Sequence, residues 1–283
     1  MSNFISNFLD INVPKDQFDQ IFDHLKQVYP DGEDPWGLNL KKTRRSIEYV
    51  WPIYKHYFKT RVFGAENVEN KPYLVVSNHT GQIAIDGMLI CTAFATEVFP
   101  PRILRSMVER FFTSIPYLGT WAAEGGAVLG DRQNCLNLLQ RGQSILAFPE
   151  GVKGISKSTT DYYKVQRFTR GFFRMALTSG VDILPLATVG AEEIFPWVYQ
   201  AKGLAKLFNL PAAPISPLYL PLPSPVDIYI GEVYKIPTDL SPESPDELID
   251  PHVEKIRDQI QEMIRKGLEN RRPFFANRYG RRE

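Results

Sequence analysis

The sequence predicts an α/β protein: a mixed, largely parallel sheet flanked by helices, with an N-terminal helical extension and a C-terminal helix. Three observations carry this expectation. Short apolar runs alternate with stretches of helical spacing through the middle of the chain, as strands joined by crossover helices do. Amphipathic helical spacing without intervening strands occupies both ends. The 283 residues, 43% hydrophobic, suffice for one large domain with a helical extension. The expected division is 1–60 as a helical, membrane-facing extension, 61–240 as the α/β domain, and 241–283 as the C-terminal helix and basic tail.

Phe18, Ile21, Phe22, Leu25 and Val28 fall at helical spacing within residues 14–28, and Pro30-Asp-Gly-Glu-Asp-Pro35 breaks the pattern. A second helix is expected from about Asn39 to Thr60, basic at its start (Lys41, Lys42, Arg44, Arg45) and aromatic later (Tyr49, Trp51, Tyr54, Tyr57, Phe58). Strands are expected at Tyr73–Ser77, Ala127–Leu129, Ile145–Phe148, Ile183–Thr188 and Val226–Ile230. Helices between them cover about Gly87–Ala95, Gln133–Gln140 and Phe168–Ser179. The last helix is read as capped by Asp250 with Pro251 in its first turn. Its apolar face is Val253, Ile256, Ile260, Met263, Ile264 and Leu268.

A net charge of +1 argues against a general nucleic-acid binder. Cys91 and Cys135 both sit in apolar surroundings, so a reducing compartment is expected rather than a disulfide framework. The N-terminus lacks the basic and apolar regions of a signal peptide. Leu207 to Val226 is uncharged but holds Pro211, Pro214, Pro217, Pro221, Pro223 and Pro225. Each interior proline costs a helix roughly 3 kcal/mol, so this run is read as an extended apolar loop and not a membrane span.

Of the four histidines, His24 and His252 lie on amphipathic helices and read as surface residues, and His56 sits among aromatics. Only His79 directly follows a buried-looking strand, and strand ends of open α/β sheets are where ligands bind. A general base and a hydrogen-bonded structural histidine both fit that place. The first acid after it is Asp86, which could orient the imidazole, cap the following helix, or do both. The turn Phe148-Pro149-Glu150-Gly151 offers Glu150 either to a polar ligand or to the loop itself. Lys153, Lys157 and Lys164 follow, with Gly151 and Gly154 allowing a ligand close to the backbone, as a phosphate site would need. Arg132 could grip a phosphate or carboxylate; the alternative is that Asp131 caps a helix and Arg132 is solvated. Lys164, Arg167, Arg170 and Arg174 read as one basic, solvated helix face. Absent are the Gly-x-Ser-x-Gly elbow, a Cys/His pair at strand ends, dinucleotide or Walker glycine patterns, and zinc-ligand spacing. Neither a covalent nucleophile nor a metal is therefore expected.

Taken in order, these runs resemble the glycerolipid acyltransferases, which include the 1-acylglycerol-3-phosphate acyltransferases. Asn78-His79 with Asp86 resembles the catalytic block. Gly125-Gly-Ala-Val-Leu-Gly-Asp131-Arg132 resembles the second block, Phe148-Pro-Glu-Gly151 the third, and Ile183-Leu-Pro185-Leu-Ala the fourth. Arg170-Gly171 before Ala176-Leu-Thr-Ser-Gly180 resembles the basic helix leading into the fourth. The likeness spans roughly residues 60 to 235. Six residues separate His79 from Asp86 where the family usually has four, as in a divergent bacterial branch, and Val152-Lys153-Gly154 replaces the usual Thr-Arg-Ser.

The resemblance implies O-acyl transfer from acyl-CoA or an acyl carrier protein, as co-substrate and with no other cofactor, to a lysophospholipid hydroxyl. His79 would be the base and Asp86 its orienting partner. Glu150 and Gly151 would shape the acceptor site, and Arg132 and Lys153 would hold a phosphate. Its implied partners are the two substrates and a membrane surface, with a cytoplasmic location at the inner membrane face. Two other readings stay open: a neutral or unusual acceptor, since Lys153 lacks the arginine fork, and a non-catalytic lipid-binding protein, which the long His79–Asp86 interval would suit.

Overall fold

The computed structural model describes residues 13–80, 85–113, 115–196, 198–201, 214–215 and 220–271. A seven-stranded sheet organises them. Its strands are β1 (Arg61–Phe63), β2 (Leu74–Ser77), β3 (Arg105–Val108), β4 (Val128–Leu129), β5 (Ile145–Ala147), β6 (Ile183–Val189) and, near the end of the chain, Asp227–Ile230. Two short strands outside this sheet, β7 (Tyr199–Gln200) and β8 (Pro214–Ile215), pair with each other, which makes Asp227–Ile230 β9. The spatial order is β1-β9-β6-β2-β5-β3-β4. Every neighbouring pair is parallel except β6 with β9. The sheet is mixed and largely parallel, as the alternation of runs predicts.

Helices cover both faces, so the strands are apolar on both sides. Val75, Leu146, Leu184, Leu186 and Ile228 point into one core layer with α1 (Lys15–Val28), α2 (Leu40–Pro52) and α3 (Ile85–Thr96). Their neighbours Leu74, Val76, Ile145, Ala147, Ile183 and Ala187 point into the other. Further along the chain lie α4 (Arg110–Thr113), α5 (Leu118–Glu124), α6 (Arg132–Gln140), α7 (Val152–Ile155), α8 (Gly171–Ser179) and α9 (Asp246–Glu269). The second layer is closed by α6, α8 and α9. The period-two switch of sides is the strand signature, here hidden because both sides are buried.

Several expected elements need revision. Strands β1 and β3 are absent from the sequence reading. The edge strand β1 is three residues long, with Phe63 exposed. Strand β3 opens on Arg105, whose charge masks an otherwise buried position. The helix expected to run to Thr60 is α-helical only to Pro52 and continues as a π turn over Ile53–Tyr57. The last helix starts at Asp246, preceded by Pro245, and Asp250 is not its cap. Asp250 instead binds Arg170, whose Nη2 lies 2.7 Å from its Oδ2. Arg174 similarly reaches Asp246 at 2.7 Å. The supposed solvated basic face is thus partly a clamp holding α9 to α8, and Lys164 and Arg167 precede the helix. His252 is no simple surface residue: it stacks on Phe173, and its Nδ1 meets the Tyr234 hydroxyl. Most of Leu207–Val226, and the tail beyond Arg271, lie outside the described residues.

Arg105 joins the N-terminal segment to the sheet. Its fully buried guanidinium donates to the Gly126 carbonyl at 2.9 Å and Gln143 Oε1 at 3.1 Å, and pairs with Asp34. Removing one partner of such a pair leaves an uncompensated buried charge and costs ~3–5 kcal/mol. Asp34→Ala is expected to destabilise the protein by that amount in chemical denaturation, whereas Asp23→Ala, which breaks an exposed pair with Lys26, should leave the denaturation midpoint nearly unchanged.

Candidate active site

The pairing of β2 with β5 sets the site. Val76 stands opposite Ala147. Counting three residues on from each brings His79 and Glu150 side by side at the carboxyl ends of the strands, and the His79 amide donates to Glu150 Oε1 at 2.8 Å. Asn78 fixes the approach from the other neighbour, β6. Its side chain accepts from Thr188 N at 2.9 Å and donates to Thr188 O at 3.1 Å, continuing the β2–β6 ladder beyond Ser77.

The six-residue interval does not keep His79 and Asp86 apart. His79 Nδ1 lies 2.7 Å from Asp86 Oδ2. Beside a carboxylate, Nδ1 carries the proton and donates, leaving Nε2 with its lone pair. Asp86 has no solvent exposure. Its Oδ2 also accepts the Thr80 amide at 2.8 Å, while Oδ1 accepts the Gly87 amide at 2.8 Å in the first turn of α3. The orienting and helix-end contacts, read from the sequence as compatible, coexist on different oxygens. The Phe148 ring stacks on the imidazole, 4.0 Å between centroids and 17° between planes. Sequence reasoning took Phe148 for the end of a strand.

Glu150 acts from behind the site. Its Oε2 accepts the Gln166 amide at 2.7 Å and lies 3.1 Å from Lys157 Nζ, so both oxygens are engaged by the protein. Of its two possible uses, the structure shows the fixing of the loop. Gly151 lines the cavity described below, with φ of 56°, a left-handed conformation that suits glycine. Gly154 does make a close approach possible, but to His79: a Cβ there would sit 2.7 Å from the His79 Cβ. Asp131 caps α6 by accepting from Gln133 N at 3.0 Å and Asn134 N at 3.2 Å.

His79 opens onto a cavity of about 1130 Å³, larger than the ~300–1,000 Å³ of ordinary small-ligand pockets. Its walls are mostly apolar, from Met88 on α3 and Leu104 on the sheet side to Ile47 and Val50 on α2 and Leu118 and Trp121 on α5. Arg132 also lines it and donates to the Thr178 hydroxyl at 3.3 Å. Lys153 is placed elsewhere, in a smaller pocket with Arg167, Thr169 and Arg170. The two cations expected to share a phosphate therefore face different spaces.

Beneath the loop, Lys157 Nζ lies 3.4 Å from Glu192 Oε1. The Tyr163 amide donates to Glu192 Oε2 at 2.6 Å. Burial raises the Glu192 carboxyl from its ordinary 4.5 to about 7, against the pull of Lys157. Neither Lys157's role nor Glu192 was singled out from sequence. No group of His, Cys, Asp and Glu able to hold a metal occurs among the described residues.

These features define a class: an open α/β sheet bearing a histidine–carboxylate pair that lines a large apolar cavity. Residues 59–189 match the acyltransferase family model. Two mycobacterial proteins of uncharacterised function are similar, one from Mycobacterium tuberculosis (33% identical; 79% of this chain, 65% of that one) and one from Mycobacterium leprae (34%; 79% and 64%). A Bos taurus protein described as a DGAT1/2-independent enzyme synthesizing storage lipids is 28% identical over 77% of this chain and 60% of its own. The chain thus spans about 65% or less of these relatives' lengths. The crystal structure of the 1-acyl-sn-glycerophosphate acyltransferase PlsC from Thermotoga maritima shares the fold, with a TM-score of 0.52, 17% identity, and coverage of 82% of this chain and 84% of that one. Residues 59–189, which hold His79, Asp86 and Glu150, thus form a domain of the acyltransferase family.

The raised Glu192 carboxyl makes stability pH-dependent with a definite sign. Between its unfolded value near 4.5 and about 7, the folded protein holds a proton that the unfolded chain has released. Raising pH through that window therefore favours unfolding. Glu192→Gln is expected to flatten this fall in stability, which denaturation curves of both proteins from pH 5 to 8 will check.

Proposed function

We propose that this protein is an O-acyltransferase that moves a fatty acyl group from acyl-CoA or an acyl carrier protein to the hydroxyl of a membrane lipid, with a lysophospholipid of the lysophosphatidate type as the leading acceptor. The observation that carries the reading is the His79–Asp86 pair, 2.7 Å apart, at the mouth of the 1130 Å³ apolar cavity. His79 Nε2 takes the acceptor hydroxyl proton as that oxygen attacks the thioester carbonyl. The tetrahedral intermediate collapses with loss of the C–S bond, and the leaving thiolate recovers the proton from the imidazolium. Asp86 keeps the tautomer and stabilises the charged ring. Base catalysis of this kind supplies ~10²–10⁴-fold. The acyl chain occupies the cavity between α2, α3 and α5, and Arg132 stands at its wall for an acceptor phosphate.

A neutral acceptor such as diacylglycerol is the second reading. The separation of Arg132 from Lys153 favours it, as does the storage-lipid description of the bovine relative. An acceptor panel assayed by thiol release separates the two readings, with lysophosphatidate faster than diacylglycerol under the first and slower under the second. In either case His79→Gln is expected to lower kcat by at least ~10²-fold. Wild-type rates in that variant would exclude His79 as the base. Cys91→Phe, which projects from α3 into the cavity, is expected to lower kcat/KM for long chains relative to short ones by ~10-fold or more.

The acceptor places the enzyme at a membrane surface. Among the described residues no helix is long and apolar enough to cross one. Exposed Tyr49, Ile53 and Tyr57, with Lys41 and Arg45 on the same helical segment, suit an anionic interface, while Lys42 and Arg44 are held by Glu124 and Glu48. The protein is expected to float with anionic liposomes at low salt and to be released as salt rises; recovery entirely in the supernatant would refute surface binding.

A further inference from the structure

Lys157 ends inside the protein, with its side chain only 3% exposed. Its ammonium meets one oxygen from each of three loops. These are the His79 carbonyl at 3.3 Å, Glu150 Oε2 at 3.1 Å and Glu192 Oε1 at 3.4 Å. The loops follow β2, β5 and β6, which are neighbours in the sheet in the order β6-β2-β5. A buried ammonium carries a heavy desolvation penalty, and replacing such a cluster by apolar side chains is often neutral or better for stability. Its presence is therefore poorly explained as a stabilising device.

What the cluster does hold is the His79 peptide. The His79 amide donates to Glu150 Oε1, and Lys157 pairs with that same carboxylate while donating to the His79 carbonyl. The ring is pinned separately, by Asp86 and Phe148. We propose that Lys157 is a positioning residue for His79: it fixes both main-chain ends of the histidine and so sets how the imidazole is presented to the reacting atoms.

The surroundings make the assignment specific. Glu192 faces Lys157, Glu150 and the Tyr163 amide, with the Tyr162 and Tyr163 rings close by. The adjacent Glu193 is engaged by the Tyr163 hydroxyl and by Arg271. Lys157→Met alone strands two neighbouring buried carboxylates and risks a folding defect. Lys157→Met with Glu192→Gln removes the ammonium and the carboxyl it faces together, leaving Glu150 to hold the His79 amide while taking the Lys157 donor away from the His79 carbonyl.

The proposal rests on the acyltransferase reading for its kinetic arm only. In the double variant, kcat is expected to fall roughly 10- to 100-fold, the size of effect that a misplacement of about 1 Å produces. KM for both substrates should stay within about threefold of wild type. Recovery of wild-type kcat in a folded double variant would reduce Lys157 to charge neutralisation and overturn the proposal. A loss confined to KM would overturn it equally. A second arm needs no substrate: the low-field proton resonance of His79 Nδ1, assigned by its loss in His79→Gln, is expected to broaden or disappear in the double variant. An unchanged resonance would overturn the proposal, whether or not any acceptor is found.

Discussion

A carboxylate sealed from water must find its compensation inside the protein, and Asp86 does so through His79, Thr80 and Gly87. Those contacts tie the end of a central strand to the start of the helix that leaves it. They hold the imidazole tautomer, begin α3 in its proper place and seat the histidine over the apolar cavity. If Asp86 lost its charge, the helix start and the site would be affected together. One buried carboxylate therefore links the stability of the fold to the orientation of His79.

The cavity draws on segments from Thr43 to Met175. The sheet side contributes Leu104 and Met107, α3 contributes Met88 and Cys91, and the N-terminal helix α2 contributes Thr43, Ile47 and Val50. The N-terminal segment is thus both a wall of the site and part of the first core layer. The Arg105–Asp34 pair and the Lys42–Glu124 pair tie this segment to the sheet and to α5 respectively. Burial of a long hydrocarbon chain needs such a wall, since its transfer from water contributes about 0.8 kcal/mol per methylene.

Much of the fold was legible. The runs at Tyr73–Ser77, Ile145–Phe148, Ile183–Thr188 and Val226–Ile230 are strands to within a residue or so at each end, because four or more β-favouring apolar residues bounded by turns leave little alternative. What escaped notice involves charge neutralised at a distance. Arg105 looks like a surface residue until Asp34, 71 positions away, is brought beside it. Asp250 before Pro251 reads as a helix start, yet the pairing of Asp246 and Asp250 with Arg170 and Arg174 accompanies a helix that begins four residues earlier.

The site divides along the same line. From local order alone, the sequence determined that His79 follows a buried strand, that Asp86 is the first acid beyond it, and that a Phe-Pro-Glu-Gly turn ends a second strand. These are properties of neighbours along the chain. Only the tertiary structure decided that the six-residue interval still lets His79 meet Asp86. It also decided that Glu150 faces the histidine's main chain, that Gly154 makes room for His79 and not for a ligand, and that Arg132 and Lys153 face separate spaces. The reason is geometric: the parallel register of β2 with β5 sets those distances, and a register is a relation between segments far apart in sequence.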